Sequence, residues 1–163
     1  LDGRCRAIVA HQDFNGMSLK DADGRSTLMV ATLRKLPEDL CLTILRDRRF
    51  HEVSAVDRWG NTALTLAASV SYGNLCKAVL DHADFAVVNQ KDKWGATALH
   101  WAADANLASV CTAIMEHPSF IGAHMMAFSF KFENKTALQV AEERGNSQAA
   151  EAIKKVLNAP FRR

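Results

Sequence analysis

The residues best equipped for chemistry in this chain are its four cysteines and six histidines. Cys5, Cys41, Cys76 and Cys111 could supply thiolate ligands or a nucleophile, and His11, His82 and His117 each follow a cysteine by six residues. Such a set would suit a zinc centre, a disulfide framework or a thiolate activated by an imidazole. The spacing argues against all three. The cysteines recur at steps of 36, 35 and 35 residues, and Phe14, Phe50, Phe85 and Phe120 recur at the same steps. Residues in register along stacked units stand about 8–10 Å apart, whereas a disulfide needs Cα atoms within about 7 Å and zinc needs ligands converging at about 2.0–2.3 Å. A ladder does not converge. The sequence has no C-x-x-C, so the cysteines are expected to fill a core as free thiols, and they hint only weakly at a reducing compartment. A nucleophile is rarely triplicated, so the histidines read as architecture at the ends of helices, where a cation or donor can satisfy terminal carbonyls. G-x-S-x-G, H-E-x-x-H, P-loop and G-x-G-x-x-G motifs are all missing. The expectation is a non-enzyme with no catalytic, metal or cofactor-binding residues. Asn134-Lys-Thr136 matches a glycosylation sequon, but Thr136 falls where a helix opens and the match reads as chance.

The elements that position these residues follow from the repeat. Four segments align: Asp21-Ala-Asp-Gly24-Arg-Ser26-Thr-Leu28, Asp57-Arg-Trp-Gly60-Asn-Thr62-Ala-Leu64, Asp92-Lys-Trp-Gly95-Ala-Thr97-Ala-Leu99 and Lys131-Phe-Glu-Asn134-Lys-Thr136-Ala-Leu138. The Gly (Asn134 in the last) suits a tight turn, because both residues tolerate positive φ. The hydroxyl residue that follows can cap a helix. In Thr97-Ala-Leu99-His-Trp-Ala102-Ala103 the apolar residues lie three to four apart, on one helical face. A second helix follows, as in Val110-Cys-Thr-Ala113-Ile114-Met115, and Pro118 ends it. Helices this short must bury their faces on neighbouring pairs. The 26 alanines suit such close packing.

These residues resemble the ankyrin repeat, with its turn, Thr-Pro-Leu-His-x-Ala-Ala helix and second helix. The resemblance is strongest in Thr62-Ala-Leu-Thr-Leu-Ala67-Ala68 and Thr97-Ala-Leu-His100-Trp-Ala102-Ala103. It implies an all-α solenoid of stacked helix pairs with β-turn fingers. About four full repeats (21–56, 57–91, 92–130, 131–163) follow an N-terminal partial repeat (1–20), all in one domain over 1–163. Thr27, Ala63, Ala98 and Ala137 replace the family's Pro. Its His, which in the family bridges neighbouring repeats, survives only as His100, with Met29, Thr65 and Gln139 elsewhere. The resemblance therefore implies that bridge at one interface of four.

Composition agrees with a folded globular chain. The 163 residues are 48% hydrophobic and 23% charged with a net charge of +2, too few unbalanced cations for nucleic acid to be the expected partner. Apolar runs fall short of the roughly 20 residues of a membrane span. The expectation is a soluble intracellular protein of unassigned compartment.

The resemblance also implies where a partner protein would bind: on the turn tips and the adjoining side of the first helices. The expected contacts are Arg58, Trp59 and Asn61 on one tip and Lys93 and Trp94 on the next. Leu33, Arg34, Ser69, Val70, Asp104, Ala105, Glu143 and Arg144 are the corresponding helix positions. Trp and Arg are enriched in binding hot spots; the alternative is that each indole lies flat on the next turn and stiffens the array. Trp101, between Leu99 and Ala102, is expected in the core. From Phe120 to Lys131 the chain is four residues longer than from Phe85 to Asp92, and the insertion Met125-Met126-Ala-Phe128-Ser-Phe130-Lys-Phe132 alternates like a strand with one apolar face. Met125, Met126, Phe128, Phe130 and Phe132 are expected to extend the contact ridge, or else to fold back as part of a cap. The last helix keeps a wet face through Glu151, Lys154 and Lys155, as a terminal repeat requires. Cys5, Ile8 and Val9 lack such a cap, which suggests further repeats upstream or a partner chain there. The function expected is an adaptor or scaffold subunit, the alternative being a regulatory domain of a longer enzyme or channel.

Overall fold

The computed structural model describes residues 11, 16–122, 126–127, 132 and 134–159. The repeated segments become four helix pairs: α1 (Thr27–Leu33) and α2 (Glu38–Arg46), α3 (Ala63–Ser69) and α4 (Gly73–Leu80), α5 (Ala98–Asp104) and α6 (Ala108–Glu116), α7 (Ala137–Glu143) and α8 (Ser147–Leu157). The first helix of each pair has only seven residues, too few to persist alone. Side-chain caps start them. The Ser26, Thr62 and Thr136 hydroxyls accept from the backbone N–H of Met29, Thr65 and Gln139.

Each first helix ends in the same double bond back into its last turn. The N–H groups of Lys35 and Leu36 donate to Thr32 and Ala31, those of Ser71 and Tyr72 to Ala68 and Ala67, those of Asn106 and Leu107 to Ala103 and Ala102, and those of Gly145 and Asn146 to Glu142 and Ala141. This Schellman geometry requires a left-handed residue. Lys35, Ser71, Asn106 and Gly145 provide it, with φ of 52°, 64°, 55° and 69°.

Packing produces two layers. The first helices stack in the order α1, α3, α5, α7 and the second in the order α2, α4, α6, α8. Leu28, Leu64 and Leu99 fill one layer; Ile44, Val79, Ile114 and Ile153 fill the other. Cys41, Cys76 and Cys111 are free and fully buried among them. Among the described residues, no helix is long and apolar enough to cross a membrane.

The loops between pairs are tied by a side chain that both gives and takes a hydrogen bond. The Ser18 hydroxyl donates to the Arg49 carbonyl (2.6 Å) and accepts from His51 N–H (3.1 Å). Ser54 does the same with Asp84 (2.7 Å) and Ala86 (3.0 Å). The Asn89 amide repeats the pattern with Ser119 (2.6 Å) and Ile121 (2.8 Å). Among the described residues, three successive units thus each clasp the next loop with one side chain.

The histidines correct one expectation. His82 and His117 do not donate to helix-end carbonyls: each ring Nδ1 accepts the backbone N–H two residues on, from Asp84 and Ser119, at 3.2 Å. Asp47 fills the equivalent place in the first unit, accepting from Arg49 N–H at 2.9 Å. After the second helix the chain turns so that this N–H faces back toward the side chain, and the position calls for an acceptor. His11 keeps a different tie, its carbonyl accepting from the Arg49 guanidinium.

Candidate partner-binding surface

The first three turn tips are each built by an aspartate. Asp57 Oδ1 accepts the N–H of Trp59 and of Asn61 at 2.9 and 2.8 Å, and Asp92 Oδ1 accepts those of Trp94 and Ala96 at 2.9 Å. Asp21 does the same for Asp23 and Arg25. Gly24, Gly60 and Gly95 complete the turns with φ near 80°. The tips are also linked to one another: Arg58 N–H donates to the Asp23 carbonyl (3.0 Å) and Lys93 N–H to the Trp59 carbonyl (2.7 Å). The second oxygen of each buried aspartate is used as well. Asp57 Oδ2 accepts from the Asn61 amide at 3.0 Å, and Asp92 Oδ2 from the Trp101 indole N–H at 3.2 Å.

This frame holds the two tip tryptophans differently. The Trp59 ring meets two guanidiniums, Arg25 at 4.4 Å and Arg58 at 4.1 Å from its centre. Both cations are anchored by Asp23 at 3.0 Å, and Arg25 stands 3.7 Å from Asp57. Arg25, a variable tip position of the first unit by its place in the repeat, thus reaches across to the next tip, which nothing local in the sequence shows. Trp94 carries one cation, the Lys93 ammonium at 4.4 Å, and is 43% exposed. Asn61 is half-buried and engaged with Asp57.

The lengthened last turn corrects another expectation. Phe132 is 1% exposed, packed with Ala96, Val140 and Trp101. Its ring meets the Trp101 indole edge-on at 5.1 Å and lies 5.8 Å from His100. A phenyl ring so enclosed belongs to the stack and cannot also face a partner. The turn pairs β1 (Met126–Ala127) antiparallel with β2 (Lys135–Thr136). Met126 is described by its backbone alone, and Met125, Phe128 and Phe130 lie outside the described residues.

At the ends of the first helices, Leu33 and Arg34 are exposed, as is Ser69, with Val70 half-buried. Further along, Arg144 pairs with Asp104 at 3.1 Å and Lys135 with Glu143 at 2.6 Å. The thiols take no part in this face. Burial pushes Cys111 up to about 12 and raises Cys76 and Cys41 too, so all three stay protonated at neutral pH. Among the described residues, no cluster of His, Cys, Asp and Glu could hold a metal ion.

Comparison with protein families matches three ankyrin repeats to residues 28–128. The chain belongs to the ankyrin repeat family. Ankyrin repeats are generally protein–protein interaction modules and typically non-catalytic. No curated protein matches this ankyrin chain at a significant level.

Proposed function

We propose that this ankyrin array binds another protein through its turn tips and the adjoining ends of the first helices, as an adaptor or as a scaffold subunit of a larger assembly. Trp94 carries the reading. It is a large indole left 43% exposed on a turn that Asp92 holds rigid, so a partner could cover it with little ordering cost. Lys93 lies over it as a cation, and Arg58 and Trp59 occupy the neighbouring tip, where Asn61 is bonded to Asp57. Aromatic and arginine side chains on a rigid frame are the residues that most often carry binding energy.

Affinity capture from the native source tests the reading, with wild type beside Trp94→Ala and Trp59→Ala. One stoichiometric partner retained by wild type and lost with Trp94→Ala, at unchanged melting temperature, is the expected result. Retention of that partner by Trp94→Ala would move the binding surface away from the tips. Trp59→Ala is expected to lower stability, because it strands the two guanidiniums that pack on the ring.

A further inference from the structure

We infer that the partner presents to this ridge an extended acidic segment, with carboxylates about three residues apart beside an apolar side chain. The inference rests on the tips being the binding surface. Its basis is the way each tip separates its charges. Asp57 and Asp92 are both 5% exposed and turned inward, their oxygens occupied by backbone N–H groups, the Asn61 amide, the Trp101 indole and Arg25. The cations of the same stretch point the other way. Arg58 meets Asp23 of the preceding tip through one guanidinium nitrogen yet stays 63% exposed at its side chain, and Lys91 and Lys93 are exposed. Two turns that each contain one acid therefore show water only positive charge. At the first tip the sign reverses through Asp21 and Asp23, which bounds the positive ridge on that side.

Spacing argues for an extended segment. Lys93 N–H bonds the Trp59 carbonyl, so the two tips are neighbours in a stack whose units advance by about 8–10 Å. A chain extended in the polyproline II form has about three residues per turn and rises about 3.1 Å per residue, so side chains three apart share one face and span about the same distance. Carboxylates at that interval would meet Arg58 and Lys93 together. The open Trp94 face would take an apolar side chain beside them.

Selection of random dodecapeptides displayed on phage against the full chain tests this, with the winners synthesised and measured by fluorescence anisotropy. Peptides with two or more Asp or Glu around an apolar residue are expected. Their binding should weaken roughly tenfold with Lys93→Glu and less with Lys93→Gln, and should fall as salt is raised from about 50 to about 500 mM. Winners that depend on Trp94 but are neutral or basic would overturn the acidic inference and leave the tip surface standing. Winners indifferent to Trp94→Ala would overturn both. Failure to enrich any peptide, or tighter binding of an oligo-dT strand than of any peptide, would also overturn the acidic inference.

Discussion

The His100 ring joins two repeats through its two nitrogens: Nδ1 lies 3.2 Å from Thr97 N and 3.0 Å from its hydroxyl, and Nε2 lies 3.3 Å from the Lys135 carbonyl 35 residues on. With Nδ1 accepting, the proton sits on Nε2 and the ring donates to the next unit. Thr65, its equivalent one repeat earlier, closes only its own turn, with Oγ1 accepting Thr62 N–H at 2.7 Å and donating to the Thr62 carbonyl at 2.9 Å. Gln139 likewise accepts Thr136 N–H at 2.9 Å.

His100→Thr copies the local closure and removes the bridge. It is expected to cost about 1–3 kcal/mol, since the Lys135 carbonyl loses a donor and the smaller side chain leaves space. For a chain of this size, that lowers the melting temperature by roughly 2–4 °C per kcal/mol in a calorimetric scan. An unchanged melting temperature would mean that the bridge contributes nothing.

Gly60 has little room for any other residue. A Cβ there would run into the Lys91 carbonyl oxygen and come within 2.9 Å of Asp92 Cα, with φ at +81°. At Gly24, with the same φ, the nearest atom would stand at 3.5 Å, and at Gly145 none lies within 4 Å. The cost of Ala should rank Gly60 above Gly24 above Gly145. Only about 1–2 kcal/mol is expected at Gly145, from backbone strain alone, with several kcal/mol at Gly60, measurable by urea unfolding.

The left-handed turns invite the opposite change. Ser71 adopts φ of 64° where the last repeat has Gly145. Ser71→Gly relieves the strain at an exposed site, and a gain of about 0.5–1 kcal/mol is expected from the midpoint of chemical unfolding. A loss instead would show that the Ser71 side chain earns its place by contacts.

Asp47 sets an acid limit. The Arg49 side chain and N–H hold its carboxyl at about 2, below the ordinary 3.8. Because the folded value is depressed, its contribution is present above the unfolded value and is lost as pH falls from about 4 through 2. The stability difference between wild type and Asp47→Asn should therefore shrink toward zero across that window. Its size at neutral pH should be within ~1 kcal/mol, as expected for a pair near the surface.

The sequence carried the repeat, the capped first helices and the buried cysteine ladder, because these depend on local chemistry copied at a fixed step. It carried less where a residue's role is decided by one far from it. Phe132 alternates like an exposed strand residue, yet Trp101 and Val140 enclose it. Arg25 looks like an ordinary tip cation until Trp59, 34 residues on, lies beneath it. The Ser18, Ser54 and Asn89 clasps stand in register at steps of 36 and 35. That signal was available, but Ser and Asn in loops resemble any solvated residue, and only the carbonyl and N–H that each one faces reveal the pattern.

Those clasps also give the array a mechanical character. Each joins one loop to the next by two short bonds from a single side chain, so a pull along the stack loads them in series, as links of a chain rather than strands of a rope. Tension is then borne equally at the three clasped joints, and the weakest of them sets the force at which that part of the array yields. A solenoid of this kind should lengthen under load in steps of about one unit, since each repeat is held chiefly by its neighbours.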